Sequence, residues 1–189
     1  MRNKAVYGLS CIVILLLCLY VSPSANAASA EEDVLKVEQN WVKAYNTMDF
    51  KLMSSLYWQS PNTEVFSPSV FSEEWADKNA IKKLSPNVLS KGWDSIEAVL
   101  KEYCKQPKGV FTWSVRDTVV TMLTDNVAMI IGYHDLIEKP SGGSASSTNL
   151  RFTHLIQKIG GKWLIVHCHE TRVQAAKAPD TTAPATPKS

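Results

Sequence analysis

The sequence predicts one α+β domain, helices first and antiparallel strands after, because its hydrophobic period changes once along the chain. In residues 33–48, Val34, Val37, Trp41, Ala44, Tyr45 and Met48 recur at helical spacing. From Val110 onward β-branched and aromatic residues dominate, interrupted at Asp125-Asn126, at residues 140–147 and at Gly160-Gly161. That is the pattern of four strands joined as hairpins. Helices before strands is the order of a sheet with helices packed on one face.

The first 27 residues have the order of a cleavable secretory signal. A basic start at Arg2 and Lys4 precedes an apolar run from Ala5 to Val21, and Ser22 to Ala27 supplies small residues at the cleavage positions. A secreted or periplasmic protein is the expectation. The apolar run has 17 residues, the lower limit for a bilayer span, so an uncleaved anchor is the alternative. Cleavage would remove Arg2 and Lys4 and leave the 18 acidic residues matched by as many basic ones. A neutral surface without a basic run argues against nucleic acid, and against the membrane after cleavage, as partners. Residues 28–32 are expected to be a short linker and residues 33–173 the folded domain. Residues 174–189, rich in Pro, Thr and Ala, are expected to be a disordered tail. Roughly 140 residues suffice for one core and are too few for two.

Within the domain, the first helix presents the apolar stripe above, and Asp49 suits the N-cap of a short second helix from Phe50 to Tyr57. Pro61 and Asn62 break that pattern, and Thr63 to Phe66 can form a strand. Residues 67–91 carry two Ser-Pro steps and no long periodicity, which predicts an excursion that could serve as a lid. A third helix is expected near Asp94, with Asp94 and Glu97 at capping-box spacing and Ile96, Val99, Leu100 and Tyr103 on one side. Pro107 and Gly109 end it. Cys104 and Cys168 are the cysteines outside the leader. Sequence gives no distance between them, and two separate buried thiols are the expectation.

Three stretches resemble the SnoaL-like branch of the nuclear transport factor 2-like superfamily. They are Trp41 to Asp49, Gly92 to Ile96, and the ending from Arg151-x-Thr153 through Gly161-Lys162-Trp163 to His167-x-His169. The resemblance spans about residues 33–173. It implies a cone in which a curved antiparallel sheet wraps a long N-terminal helix, with two or three shorter helices and a pocket between helix and sheet. The superfamily includes ketosteroid isomerases, scytalone dehydratases and the association domain of calmodulin-dependent kinases, so it implies a fold without a reaction.

The expected chemistry lies with four histidines. A two-residue turn at Gly160-Gly161 would pair Ile159 with Lys162, Ile156 with Ile165, His154 with His167 and Phe152 with His169. His154, His167 and His169 would then share one face, and His134 would join them from the preceding strand, above the small Ala128 and Gly132. Arg151 would face Glu170 as an ion pair on the other side. Such a cluster could exchange protons near neutral pH, with His154 and His167 as the pair, His134 and His169 tuning them and Tyr45 donating a hydrogen bond. Trp41 and Phe152, with His169, would contact a small apolar or aromatic ligand. No cofactor is expected. The alternative is zinc on His154, His167 and His169 with water in a fourth position.

Ketosteroid isomerase chemistry is disfavoured. The resemblance places Trp41 where that family has its oxyanion tyrosine, and Val65 or Ser67 where it has its aspartate base. The resemblance also reaches the iota-class carbonic anhydrases, whose ending has three histidines and two serines. Here the corresponding run is His167-Cys168-His169-Glu170-Thr171, which lacks the middle histidine and both serines. The leading expectation is therefore a small-molecule pocket, catalytic as an isomerase- or lyase-like acid-base site if at all. The rival is a non-catalytic domain that forms a homodimer or higher homo-oligomer through the outer sheet face, using Thr118, Val120, Met122, Met129, Ile131 and Tyr133. A zinc- or carbonic-anhydrase-like hydro-lyase is the third.

Overall fold

In the computed structural model, residues 25–68, 87–139 and 143–173 are described. The expected leader up to Ser24, the core of the expected lid and the expected tail lie outside them. Helix α1 (Ala25–Thr47) begins ahead of the expected cleavage point and includes the stretch anticipated as a linker. Helix α2 (Phe50–Leu56) is capped as expected: the Asp49 carboxylate accepts the Leu52 N–H at 2.9 Å. Helix α3 (Trp93–Tyr103) starts differently, because its N-cap is Gly92 and no side chain caps it. Gly92 adopts φ +80°, a left-handed conformation that an Asp would resist. No helix among the described residues is long and apolar enough to cross a membrane.

Six strands form one sheet in the order β2-β1-β6-β5-β4-β3. They are β1 (Glu64–Pro68), β2 (Asn87–Lys91), β3 (Phe111–Thr124), β4 (Val127–Glu138), β5 (Ser146–Ile159) and β6 (Lys162–Arg172). The last four are the expected hairpins. Strand β2 falls inside the stretch read as an excursion, and it pairs with β1 across the undescribed residues. The sheet is mixed, because β1 joins β6 in parallel. Helix α1 lies against β3 and touches β6, and the core between them holds Val34, Trp41, Ile130, Phe152 and Ile165.

Two β-bulges decide which side chains face that core. In β3, Asp117 adopts φ +52° and the pairing with β4 shifts between Arg116 and Val119. An extra residue reverses the alternation beyond it. Val120 and Met122, expected outside, therefore pack against the core, while Val119 and Leu123 are exposed. In β6, the turn at Gly160-Gly161 sets the expected pairs Ile159–Lys162 and Ile156–Ile165, and then the register shifts between Ile156 and Leu155. Past that shift His154 pairs with Cys168, Phe152 with Glu170 and Arg151 with Thr171.

Gly132 sits opposite the first bulge and lets the Phe152 ring approach. A Cβ there would stand 2.9 Å from Phe152 Cε1 and 3.1 Å from the Arg116 carbonyl oxygen. Gly132→Ala is accordingly expected to lower stability by about 1–3 kcal/mol, measured by urea denaturation, through overpacking. No loss would mean that the ring has room to retreat.

Candidate functional site

The interior between α1 and the sheet holds a closed polar network. Glu38 lies on the apolar stripe of α1, four residues after Val34 and three before Trp41, and is 1% exposed. Its carboxylate receives two imidazoles: His134 Nε2 at 2.7 Å on Oε1, and His154 Nδ1 at 2.8 Å on Oε2. The other His134 nitrogen, Nδ1, lies 2.9 Å from Glu170 Oε1. The Ser67 hydroxyl of β1 donates to Glu170 Oε2 at 2.5 Å.

Both His134 nitrogens face carboxylate oxygens, which only accept, so the ring must carry both protons. Burial alone would lower its pKa, but the hydrogen bonds and charges of Glu170 and Glu38 outweigh burial and raise it to about 9. Burial likewise pushes the Glu38 carboxyl upward. The field of His154 and the hydrogen bonds from His134 and His154 win, and bring it down to about 2. Glu170 also falls below the usual carboxylate range despite its burial, chiefly because His134 donates to it.

Aromatic rings fix the imidazolium in place. Trp41 stacks on one face of His134, with centroids 4.5 Å apart and planes 2° from parallel, and Phe152 stacks at 4.0 Å and 7°. Cation–π attraction favours the protonated ring between them. Trp41 Nε1 donates to the Tyr57 hydroxyl at 2.9 Å, and the Tyr45 and Tyr57 hydroxyls are 3.3 Å apart. Burial, with the neighbouring Tyr57 second, raises the Tyr45 pKa well above its ordinary value, so this hydroxyl stays protonated.

His154 is satisfied on one side only. Nδ1 points to Glu38, while Nε2 is buried with no hydrogen-bond partner among the described residues. Glu38 accepts from Nδ1, so Nε2 is the nitrogen of this ring left open. The donor atoms of His154, Cys168 and Glu170 lie within 4.8 Å of one another.

A family profile, that of the calcium/calmodulin-dependent protein kinase II association domain, matches residues 30–174. The chain belongs to this association-domain family. No curated protein matches it. Among solved structures, the association domain of the Caenorhabditis elegans kinase is similar at 16% identity and a TM-score of 0.55, over 76% of this chain and 96% of that one. A nuclear transport factor 2-like superfamily protein of Salmonella enterica is similar at 15% identity and a TM-score of 0.60, over 81% and 97%. A nuclear transport factor 2-like family protein from Streptomyces avermitilis is similar at 12% identity and a TM-score of 0.63, over 78% and 99%. At these identities the likeness is one of fold.

Of the residues expected at the site, this association-domain chain brings together His134, His154, Trp41, Phe152 and Tyr45. It separates His167 and His169. The bulge in β6 turns both to the outer face, where His167 Nδ1 lies 3.8 Å from Glu64 and His169 meets the edge of Phe66 at 5.2 Å. The expected pairing of His154 with His167, and a zinc set of His154, His167 and His169, are therefore incompatible with the register. The Arg151–Glu170 ion pair also falls, because Glu170 points inward to His134. Inside the association-domain cone the bulge places Cys168 and Glu170 instead, both buried. Cys104 and Cys168 are both free thiols. Burial raises the Cys168 pKa well above the ordinary thiol value, with Glu170 and Glu38 adding to it.

Proposed function

We propose that the protein is an exported association-domain protein whose main activity is to assemble with copies of itself through the outer face of the sheet. The observation that carries this is the exposure of Val119 (53%), Leu123 (52%) and Ile131 (39%) on adjoining strands of that face. Val119 and Ile131 are directly paired across β3 and β4, and Met129 and Leu155 continue the row toward β6. Apolar side chains on paired strands present one continuous surface, which water disfavours and a second sheet can cover. The association-domain family supports the same reading, and the leader sequence supports export. Sedimentation of the purified mature protein tests it. A dimer or larger assembly is expected, and Ile131→Lys together with Val119→Glu is expected to shift it to monomer. A wild-type monomer at tens of micromolar would overturn the reading.

A second reading rests on the open Nε2 of His154. A base held by Glu38 inside an aromatic cage suits a small ligand that offers a proton, and acid-base chemistry of an isomerase or lyase kind. It ranks second because two of the four histidines face outward, and because Trp41, His134 and Phe152 stack on one another where a ligand was expected.

A further inference from the structure

We infer that His154 Nε2, the Cys168 thiolate and the Glu170 carboxylate form a site for a divalent transition-metal ion of the zinc type. The inference shares with the second reading above only the premise that the open Nε2 of His154 takes a ligand, and it puts a metal ion there.

Three observations converge on it. The first is the buried Nε2 without a partner among the described residues, an arrangement that strands a polar atom unless something binds there. The second is the donor set. One nitrogen, one sulfur and one carboxylate oxygen come within 4.8 Å of each other from neighbouring strands β5 and β6. Tetrahedral zinc with bonds of about 2.0–2.3 Å needs donors roughly 3.5 Å apart, a distance that small side-chain rotations can reach. The mixture of imidazole, thiolate and carboxylate suits zinc or cobalt and is a poor match for magnesium or calcium. The third is Glu38, which holds the far nitrogen of His154 as a carboxylate behind a metal-binding imidazole does, orienting the ring with Nε2 free.

Charge also favours a cation. The network buries two carboxylates, Glu38 and Glu170, within hydrogen-bond reach of the two inner histidines. On binding, Cys168 loses its proton to solvent. The divalent ion then offsets the Cys168 thiolate and the Glu170 carboxylate that hold it, so the ion with its ligands is neutral. Glu170 keeps its hydrogen bonds from His134 and Ser67, because each carboxylate oxygen has a second lone pair. Three protein ligands leave one tetrahedral position open to water or a small molecule.

Titrating the metal-free mature protein with Co2+ tests the site. The expected result is one ion bound per chain, release of one proton, and a thiolate-to-cobalt charge-transfer band that Zn2+ displaces. Cys168→Ser is expected to abolish the band, and His154→Ala to weaken binding at least tenfold, with near-UV circular dichroism verifying that each variant is folded. No stoichiometric binding by the wild type, or a spectrum unchanged by Cys168→Ser, would overturn the inference. Native mass spectrometry separates it from that second reading. An organic molecule bound to the protein and lost in His154→Ala, with no Co2+ or Zn2+ bound, would sink the metal and keep the small-molecule site. A protein that binds neither would sink both.

Discussion

Replacing Glu38 by alanine is expected to lower the free energy of unfolding by about 3–5 kcal/mol, as breaking a buried ion pair does when its partner stays behind. The reason lies in what the carboxylate holds. It accepts from His134 and His154 at once, and both imidazoles are fully buried, so its removal leaves a cation without one counter-charge and an imidazole N–H without an acceptor. The outer pair supplies the comparison. His167 and Glu64 are 3.8 Å apart with side chains 40% and 35% exposed, and Glu64→Ala is expected to change stability by under about 1 kcal/mol. Urea denaturation of the two variants beside wild type checks the contrast. Equal effects would mean that the interior network carries no more weight than a surface contact.

The second large effect is a stability maximum on the acid side of neutrality. His134 is raised from 6.5 to about 9 in the folded protein, so its contribution is complete below about pH 6.5 and is lost as pH rises through about 9. Glu38 is lowered from 4.5 to about 2, and Glu170 is lowered too. Their contribution is complete above about pH 4.5 and is lost as pH falls toward 2. Stability is thus expected to be highest between about pH 4.5 and 6.5, and to fall by about 3 kcal/mol on going to pH 9–10, at about 1.4 kcal/mol per pKa unit. Denaturation midpoints across that range measure it. The alkaline fall is expected to shrink in Glu170→Gln, because His134 then keeps one carboxylate rather than two. A stability that stays level or rises between pH 6.5 and 9 would contradict a buried imidazolium.

The helical stripe, the cap at Asp49, the four C-terminal strands and the hairpin at Gly160-Gly161 were legible because each follows from local chemistry. The inward set of β4 was legible too: Ala128, Ile130, Gly132, His134 and Leu136 alternate without interruption. What misled was the assumption that alternation continues along β3 and β6. A bulge adds one residue and leaves no mark in the hydrophobic pattern, because Val119 and Val120 are interchangeable in kind, and Val166 to Glu170 alternates plausibly in either phase. The consequence was large at the site, since one residue of shift exchanged His167 and His169 for Cys168 and Glu170. Glu38 did leave a signal. A carboxylate at a stripe position of an otherwise apolar helix face requires a partner in the core, and the histidines opposite were the available ones.

The protonation of the two inner histidines is the central claim, and nitrogen NMR of histidine-labelled protein at neutral pH tests it directly. The predicted result is that His134 carries a proton on each ring nitrogen, and that His154 carries one on Nδ1, donated to Glu38. A single proton on His134, or a His154 protonated at Nε2 with a bare Nδ1, would contradict the network built on Glu38.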